Sequence, residues 1–319
     1  AGFTKIHIDT SMKVADDDPH TRLSDAIIAR RGAQLARVCE DTYQELLQSQ
    51  PDAIRPVYIV GSEVPIPGGA QEASAGVQVT KVADFKATVS AFEKAFFDAG
   101  LKETWNDVIA VVVQPGVEEK DDGCTEYDRS KAVDLMAAIK DYPNLVFEGH
   151  STDYQTQEKL RELVEDGVGI LKVGPGLTFA MREGLFALAH IEEELYHGSD
   201  METSHVIDVL EAEMLKEPKN WQKHYHGDEN QLYIARRYSF SDRCRYYMPT
   251  PAVKAAIAKL VANLRAKEIP NCLLSQFMPI QYQKVRHFEL TKDPEELIKD
   301  RVVDTIKQYT FASKQEQLF

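Results

Sequence analysis

Residues 57–72 read Val-Tyr-Ile-Val-Gly-Ser-Glu-Val-Pro-Ile-Pro-Gly-Gly-Ala-Gln-Glu, and the rest of the chain can be interpreted outward from them. The first four residues are apolar and β-branched or aromatic, which predicts a buried strand. Glu63 follows just past the strand, and a loop with two prolines and the Gly68-Gly69 pair comes next. A carboxylate in such a loop is where α/β barrels place ligand chemistry, although a structural turn with a solvated glutamate explains the same residues.

Four more apolar runs are predicted strands, at 5–8, 108–113, 145–147 and 170–173. Amphipathic helices separate the runs, and one of them should begin after Thr156 and end at Gly167, because these are favoured capping residues. Alternating strands and helices predict a parallel α/β sheet, and the polar or Gly/Pro loops after the strands favour a TIM (β/α)8 barrel. A doubly wound open sheet is the alternative, although its GxGxxG fingerprint is absent.

The second part of the chain has a different rhythm. After about Tyr196 helices dominate, and no internal repeat or low-complexity linker is present. This change predicts a barrel portion over 1–197 and a C-terminal helical region over 198–319 packed on it.

Composition narrows the functional class. The 319 residues are 43% hydrophobic with a net charge of −14, which argues against binding to nucleic acid or anionic membranes. No apolar run reaches transmembrane length and no signal-peptide pattern is present. The four cysteines are far apart and form no CxxC pair, so they predict free thiols in a reducing cytoplasm.

Polar residues at the predicted strand ends are the candidate functional residues. They would share one rim of a barrel, and they are Asp9, Glu63, Gln114, Glu148, His150 and the adjacent Ser151. Carboxylates and a histidine can form part of a zinc site, but a complete site needs more histidine, and the other strand ends supply none. Ser151 lacks the context of a nucleophile elbow.

Other polar clusters have simpler explanations. His224 and His226 could chelate a metal, but a turn rich in hydrogen bonds is the favoured interpretation. Four arginines accompanied by tyrosines could bind a phosphate, or they could pair with the many acidic residues, which we favour. These arginines are Arg236, Arg237, Arg243 and Arg245. Residues 16–18 are three aspartates that predict a solvated loop, and no GxxxxGK[ST] motif supports a P-loop kinase.

Six motifs carry a resemblance over essentially the whole chain. They are GSEVPIPGGAQE (61–72), VVQPGVE (112–118), EGHSTDYQT (148–156), LKVGPGLTFA (171–180), HYHGD (224–228) and YSFSDRCRYY (238–247). In these motifs the chain resembles the GatZ/KbaZ family, the non-catalytic subunits of class II D-tagatose-1,6-bisphosphate aldolase. The family is often labelled tagatose-6-phosphate kinase.

The resemblance implies a TIM barrel related to the zinc-dependent class II aldolases. It also implies that this protein is an accessory subunit, part of an oligomer, which supports the activity and stability of a catalytic aldolase subunit. The implied pathway is the catabolism of tagatose 6-phosphate, galactitol or amino sugars. Family members carry further residues before the point where this sequence starts. We therefore expect strands four to eight here, and five strands cannot close an eight-stranded barrel.

The chain departs from the catalytic aldolase pattern at several positions. Glu63 and Asp9 match acidic residues near the metal, but a His-Gly pair is replaced by Pro115-Gly116. A His-Gly-Gly-Ser motif has become Glu148-Gly149-His150-Ser151, and the substrate-holding Asn-x-Asp has become Gly174-Pro175-Gly176. The resemblance thus implies a barrel without its own aldol chemistry. Alternatives are a metal-dependent sugar-phosphate aldolase or epimerase that uses Glu63, His150 and Asp9, and, third, a sugar-phosphate kinase.

Overall fold

A computed structural model describes residues 2–62 and 77–316. Its strands are β1 (Lys5–His7), β2 (Val57–Val60), β3 (Val108–Val113), β4 (Glu118–Lys120), β5 (Gly123–Thr125), β6 (Val146–Gly149) and β7 (Val168–Leu171). Five of them form one sheet in the order β1-β2-β3-β6-β7, and every pair is parallel. The short strands β4 and β5 pair with each other in a separate sheet that the sequence did not predict.

The strand order excludes the doubly wound alternative. The five strands of the large sheet lie side by side in the order in which they occur along the chain, whereas a doubly wound sheet reverses its order at a switch point. The sheet within the described residues is therefore singly wound, with β1 and β7 at its edges. A closed TIM barrel, with these strands as its fourth to eighth, stays a prediction.

Helices cover one face of this sheet. They are α1 (Asp25–Ser49), α2 (Val82–Asp98), α3 (Arg129–Ala138) and α4 (Gln157–Asp166). Phe85 of α2 meets Phe147 of β6 edge-on, with ring centroids 5.1 Å apart. The predicted caps of α4 are confirmed, because the Thr156 hydroxyl accepts a hydrogen bond from Lys159 N and Gly167 ends the helix with a φ of 120°.

The opposite face of the sheet curls inward. β1 and β6 are three strand spacings apart, which is about 14 Å in a flat sheet. Nevertheless, Nδ1 of His7 on β1 lies 2.8 Å from Oε1 of Glu148 on β6. Two side chains of ordinary length meet over three strands only if the sheet bends toward them, so their face is concave. The same face carries a small apolar cluster of Ile59, Ala110 and Val112.

The chain divides into two compact units. The first contains described residues 2–62, 77–118 and 125–172, and the second contains 119–124 and 173–316. The second unit is helical, with α5 (Pro175–Leu195), α6 (Val206–Lys216), α7 (Glu229–Tyr238), α8 (Pro251–Ala266), α9 (Asn271–Phe277), α10 (Pro279–Arg286) and α11 (Pro294–Ala312). Its core includes Leu188, Trp221 and Leu260.

Helix α5 lies in the second unit because it packs on α8, α9 and α11. The compact units thus divide at Val173, and the boundary predicted after residue 197 lies just past the end of α5. None of the described helices is both long and apolar enough to cross a lipid bilayer. None of the four cysteines, all of which lie within the described residues, forms a disulfide, as predicted.

Candidate functional site

The site is centred on Glu148, which β6 presents to the concave face of the sheet. Successive residues of a strand point to opposite faces, so Phe147 packs toward the helices and Glu148 points the other way. Glu148 pairs in register with Val112 of β3 and Ile170 of β7. Its side chain has 0% exposure, although carboxylates are rarely fully buried without partners.

Two histidines contact this buried carboxylate. Oε1 of Glu148 lies 2.8 Å from Nδ1 of His7 and 2.9 Å from Nε2 of His150. The two imidazole rings are tilted, with centroids 5.4 Å apart. His7 is the last residue of β1 and His150 directly follows β6, so the cluster lies at the carboxyl end of the sheet, where parallel α/β proteins bind ligands.

Two lysines complete the surroundings of Glu148. Nζ of Lys5 lies 3.5 Å from Oε2, and Nζ of Lys172 lies 3.9 Å from Oε1. Their side chains are 43% and 38% exposed, so both ammonium groups also reach solvent. One buried carboxylate therefore faces two imidazoles and two ammonium groups.

The Glu148 carboxylate is held in its charged form. Burial alone would raise its pKa, because a charged group is disfavoured away from water. The hydrogen bond with His150, the close contact with His7 and the nearby charge of Lys172 outweigh burial and hold the pKa of Glu148 well below its usual range. The site thus presents an anionic oxygen at neutral pH.

Two polar atoms of the cluster lack an aligned hydrogen bond. Nδ1 of His7 and Oε2 of Glu148 are buried, and within residues 2–62 and 77–316 neither has a hydrogen-bond partner. Nδ1 is only 2.8 Å from Oε1, so the pair is in electrostatic contact, but the N–H direction does not suit a hydrogen bond. Buried polar atoms without hydrogen-bond partners are unusual in folded proteins, so both atoms are available to coordinate a ligand.

The donor set fits a borderline divalent metal. One ligand atom each from His7, Glu148 and His150 lie within 4.8 Å of one another, and no other such group occurs in the part of the chain that the structure describes. Imidazole nitrogen with carboxylate oxygen is a common ligand set of zinc.

The structure brings together two of the predicted rim residues, Glu148 and His150. Asp9 is exposed, and its Oδ1 accepts hydrogen bonds from N and Oγ of Ser11. Gln114 shapes the loop after β3, because its Oε1 accepts from Gly116 N and Val117 N. Ser151 follows His150 with a left-handed φ of 54°. Glu63 lies outside the described residues.

The expectation that the other strand ends supply no histidine is wrong, because His7 is the last residue of β1. Sequence reasoning considered only residues just past each strand, whereas His7 is the last residue inside β1. A usable signal was present. Lys5 and His7, like Glu148 and His150, are spaced by two residues, so each pair faces one side of its strand.

The four arginines of the predicted cluster make two kinds of contact, ion pairs with acidic side chains and hydrogen bonds to backbone carbonyls. Arg236 pairs with Glu211 and Glu229, and Arg237 pairs with Asp208, as the favoured interpretation predicts. Arg243 and Arg245 instead donate to backbone carbonyls of Asn220 and Ser241.

The remaining polar clusters show no metal-binding geometry. Neither His224 nor His226 belongs to a potential metal-ligand group among the described residues. In the 16–18 loop, Asp17 forms an ion pair with Arg31.

The large sheet is singly wound, parallel and curled, and a His–Glu–His cluster lies at the carboxyl ends of its strands. These features place the protein in the class of parallel α/β proteins with a ligand site at that end of the sheet. The family follows from the match of residues 1–314 to the model described as D-tagatose-1,6-bisphosphate aldolase subunit GatZ/KbaZ-like. The chain belongs to this family.

A solved structure is similar to this chain over almost its whole length. It is named a probable tagatose 6 phosphate kinase from Sinorhizobium meliloti 1021, and it is 41% identical with a TM-score of 0.84. The match covers 98% of this chain and 73% of that one.

Proposed function

We propose that the protein is an accessory subunit of D-tagatose-1,6-bisphosphate aldolase, which supports the activity and stability of the catalytic subunit. The observation that carries this proposal is membership, over residues 1–314, of a family described as an aldolase subunit. The setting that we propose is cytoplasmic catabolism of tagatose 6-phosphate derived from galactitol or amino sugars.

The arrangement of the rim supports a non-catalytic role. The resemblance implies that Asp9 and Gln114 correspond to the active-site rim of catalytic aldolases, and both are engaged in local hydrogen bonds. Gly174 and Gly176 lie at the start of α5, at the positions where the resemblance implies the asparagine and aspartate of a substrate-holding Asn-x-Asp. Glycine has no side chain, so neither residue can replace those contacts.

The test is an aldolase assay on the full-length protein, alone and mixed with the catalytic subunit. We expect no cleavage of tagatose 1,6-bisphosphate by the protein alone. On mixing, we expect higher activity or a longer half-life of the catalytic subunit. Cleavage by the isolated protein, or no effect on the partner at any ratio, would contradict the accessory role.

A second candidate, a metal-dependent sugar-phosphate aldolase or epimerase, is favoured by one observation. The His7–Glu148–His150 cluster offers three ligand atoms for a divalent metal. Metal-dependent turnover of a ketose phosphate by the isolated protein, abolished in His150→Asn, would support this candidate.

The similar solved structure is named a probable kinase, but the GxxxxGK[ST] motif is absent from this sequence. ATP-dependent phosphorylation of tagatose 6-phosphate by the isolated protein would be needed to support that activity.

A further inference from the structure

We propose that His7, Glu148 and His150 form a binding site for one zinc-class divalent metal ion, and that Lys5 and Lys172 weaken its affinity by charge repulsion. The inference concerns metal binding by these residues and does not depend on the accessory role. It stands on the geometry of the cluster, on two buried atoms that have no hydrogen-bond partner among the described residues, and on the exposure of the two lysines.

The first argument is distance. Ligand atoms that share a tetrahedral zinc lie about 3.3 Å apart, because each is about 2.0–2.1 Å from the metal. The Glu148 oxygen lies 2.8 Å from the His7 nitrogen and 2.9 Å from the His150 nitrogen. Each contact therefore needs to widen by only about half an ångström, which small side-chain rotations supply.

The second argument is the state of the ligand atoms. A carboxylate has only acceptor oxygens, and the nitrogen of a neutral imidazole that carries no proton offers a lone pair. Nδ1 of His7 and Oε2 of Glu148 are both buried without a hydrogen-bond partner in the described residues. A cation between the nitrogen and the carboxylate would satisfy both, whereas a hydrogen-bonded triad leaves them unsatisfied.

The third argument is the position of the lysines. Their ammonium groups lie 3.5 and 3.9 Å from the same carboxylate, so they compensate its charge when no metal is bound. With side-chain exposures of 43% and 38%, both can turn toward water when a metal binds. Removal of either charge should therefore tighten metal binding, although it would weaken a purely hydrogen-bonded cluster.

The donor types also predict selectivity. Two nitrogens and one oxygen suit Zn²⁺, Co²⁺ and Ni²⁺, whereas Mg²⁺ and Ca²⁺ prefer oxygen ligands throughout. Three protein ligands leave a fourth position for water or another molecule.

The test is calorimetric titration of the full-length, chelator-treated protein with zinc chloride, with cobalt absorption as a second readout. We expect one ion per chain, and tetrahedral or five-coordinate cobalt. His7→Asn and His150→Asn should each lose at least about tenfold in affinity, and Lys5→Met should gain affinity. Circular dichroism of each variant shows whether it is folded.

The matched control is His190→Asn. His190 lies on helix α5 with Nδ1 3.4 Å from Glu193, in an exposed pair that resembles a partial site. It should leave zinc affinity unchanged. The proposal is overturned by absence of zinc binding to the folded protein, by equal affinity for Mg²⁺, or by equal losses in the control and the site variants. These readouts do not involve aldolase activity, so they are separate from the test of the accessory role.

Discussion

Tyr58 illustrates how single residues hold the first unit together. Its side chain is fully buried on β2, and its hydroxyl donates to Oε1 of Glu40 on α1 at 2.7 Å. Arg55 donates to the other oxygen of Glu40 at 2.9 Å. Burial, together with the hydrogen bond to the Glu40 carboxylate, raises the pKa of Tyr58. The pair therefore ties the helix layer to the sheet.

We expect Tyr58→Phe to lower the free energy of unfolding by about 2 kcal/mol, because a buried hydrogen bond to a charged group is lost. Urea denaturation measures the change. Tyr43→Phe is the control, because its hydroxyl donates to the neutral carbonyl of Ala53 at 3.2 Å and should matter less. Equal effects of the two variants would contradict the argument.

The same residue predicts a pH dependence. The folded pKa of Tyr58 is raised above its ordinary value of 10.0, so its contribution is fully present below that pH. As the pH rises further, the unfolded chain ionises first and the contribution is lost. The stability difference between wild type and Tyr58→Phe should therefore shrink above about pH 10 and stay constant through neutral pH. A difference that grows in alkali would contradict this sign.

In the second unit, Asp242 is a buried residue whose side chain forms a stabilising ion pair with Arg182. Its Oδ1 accepts from Nε of Arg182 at 2.8 Å, both side chains are about 2% exposed, and its backbone is left-handed with a φ of 47°. Asn tolerates that backbone, so Asp242→Asn removes the charge with little strain. We expect a loss of about 3–5 kcal/mol in unfolding free energy, because Arg182 stays buried without its counter-charge. A change below about 1 kcal/mol would show that the pair contributes little.

At the scale of elements, Gly32 sets the approach of α1 to α2. A Cβ on Gly32 would lie 2.7 Å from Cε1 of Phe92 and 3.3 Å from Cγ2 of Ile8. Alanine usually stabilises a helix, but here it must push the helices apart.

We therefore expect Gly32→Ala to destabilise the protein by about 1–3 kcal/mol, as overpacking does. Thermal unfolding is the measurement. The double variant Gly32→Ala/Phe92→Leu tests the cause, because leucine removes the ring atom that alanine would meet. If the double variant is no more stable than the sum of its single changes predicts, the contact is not the reason.

The elements were largely predictable from the sequence, since the β-branched run 108–113 and the caps Thr156 and Gly167 act locally. The predicted strand at 145–147 is observed at Val146–Gly149, and the one at 170–173 is observed at Val168–Leu171. These shifts arise because pairing with neighbouring strands, which the sequence does not display, decides where a strand ends. The β4–β5 pair escaped prediction because both strands are three residues long.

The candidate site was only partly predictable for the same reason. Glu148 and His150 are adjacent to one strand end and could be proposed together. His7 joins them only through the curl of the sheet, which arises from tertiary packing rather than from local sequence.

At the scale of the whole molecule, the net charge of −14 repels polyanions such as nucleic acids. We expect no binding of the full-length protein to duplex DNA at about physiological salt, measured by fluorescence anisotropy. Binding that weakens steeply with added salt would reveal a basic surface that the overall charge conceals.

The curl of the sheet also has a consequence for the order of events in folding. Each neighbouring pair of strands can dock after closing one β-α-β segment, but His7 and Glu148 meet only when all the strands between them are in place. Contacts that depend on such distant parts of a chain form late, because loop-closure entropy opposes them until the intervening structure exists. The contact between these two side chains should accordingly mature in the slowest refolding phase and report completion of the sheet.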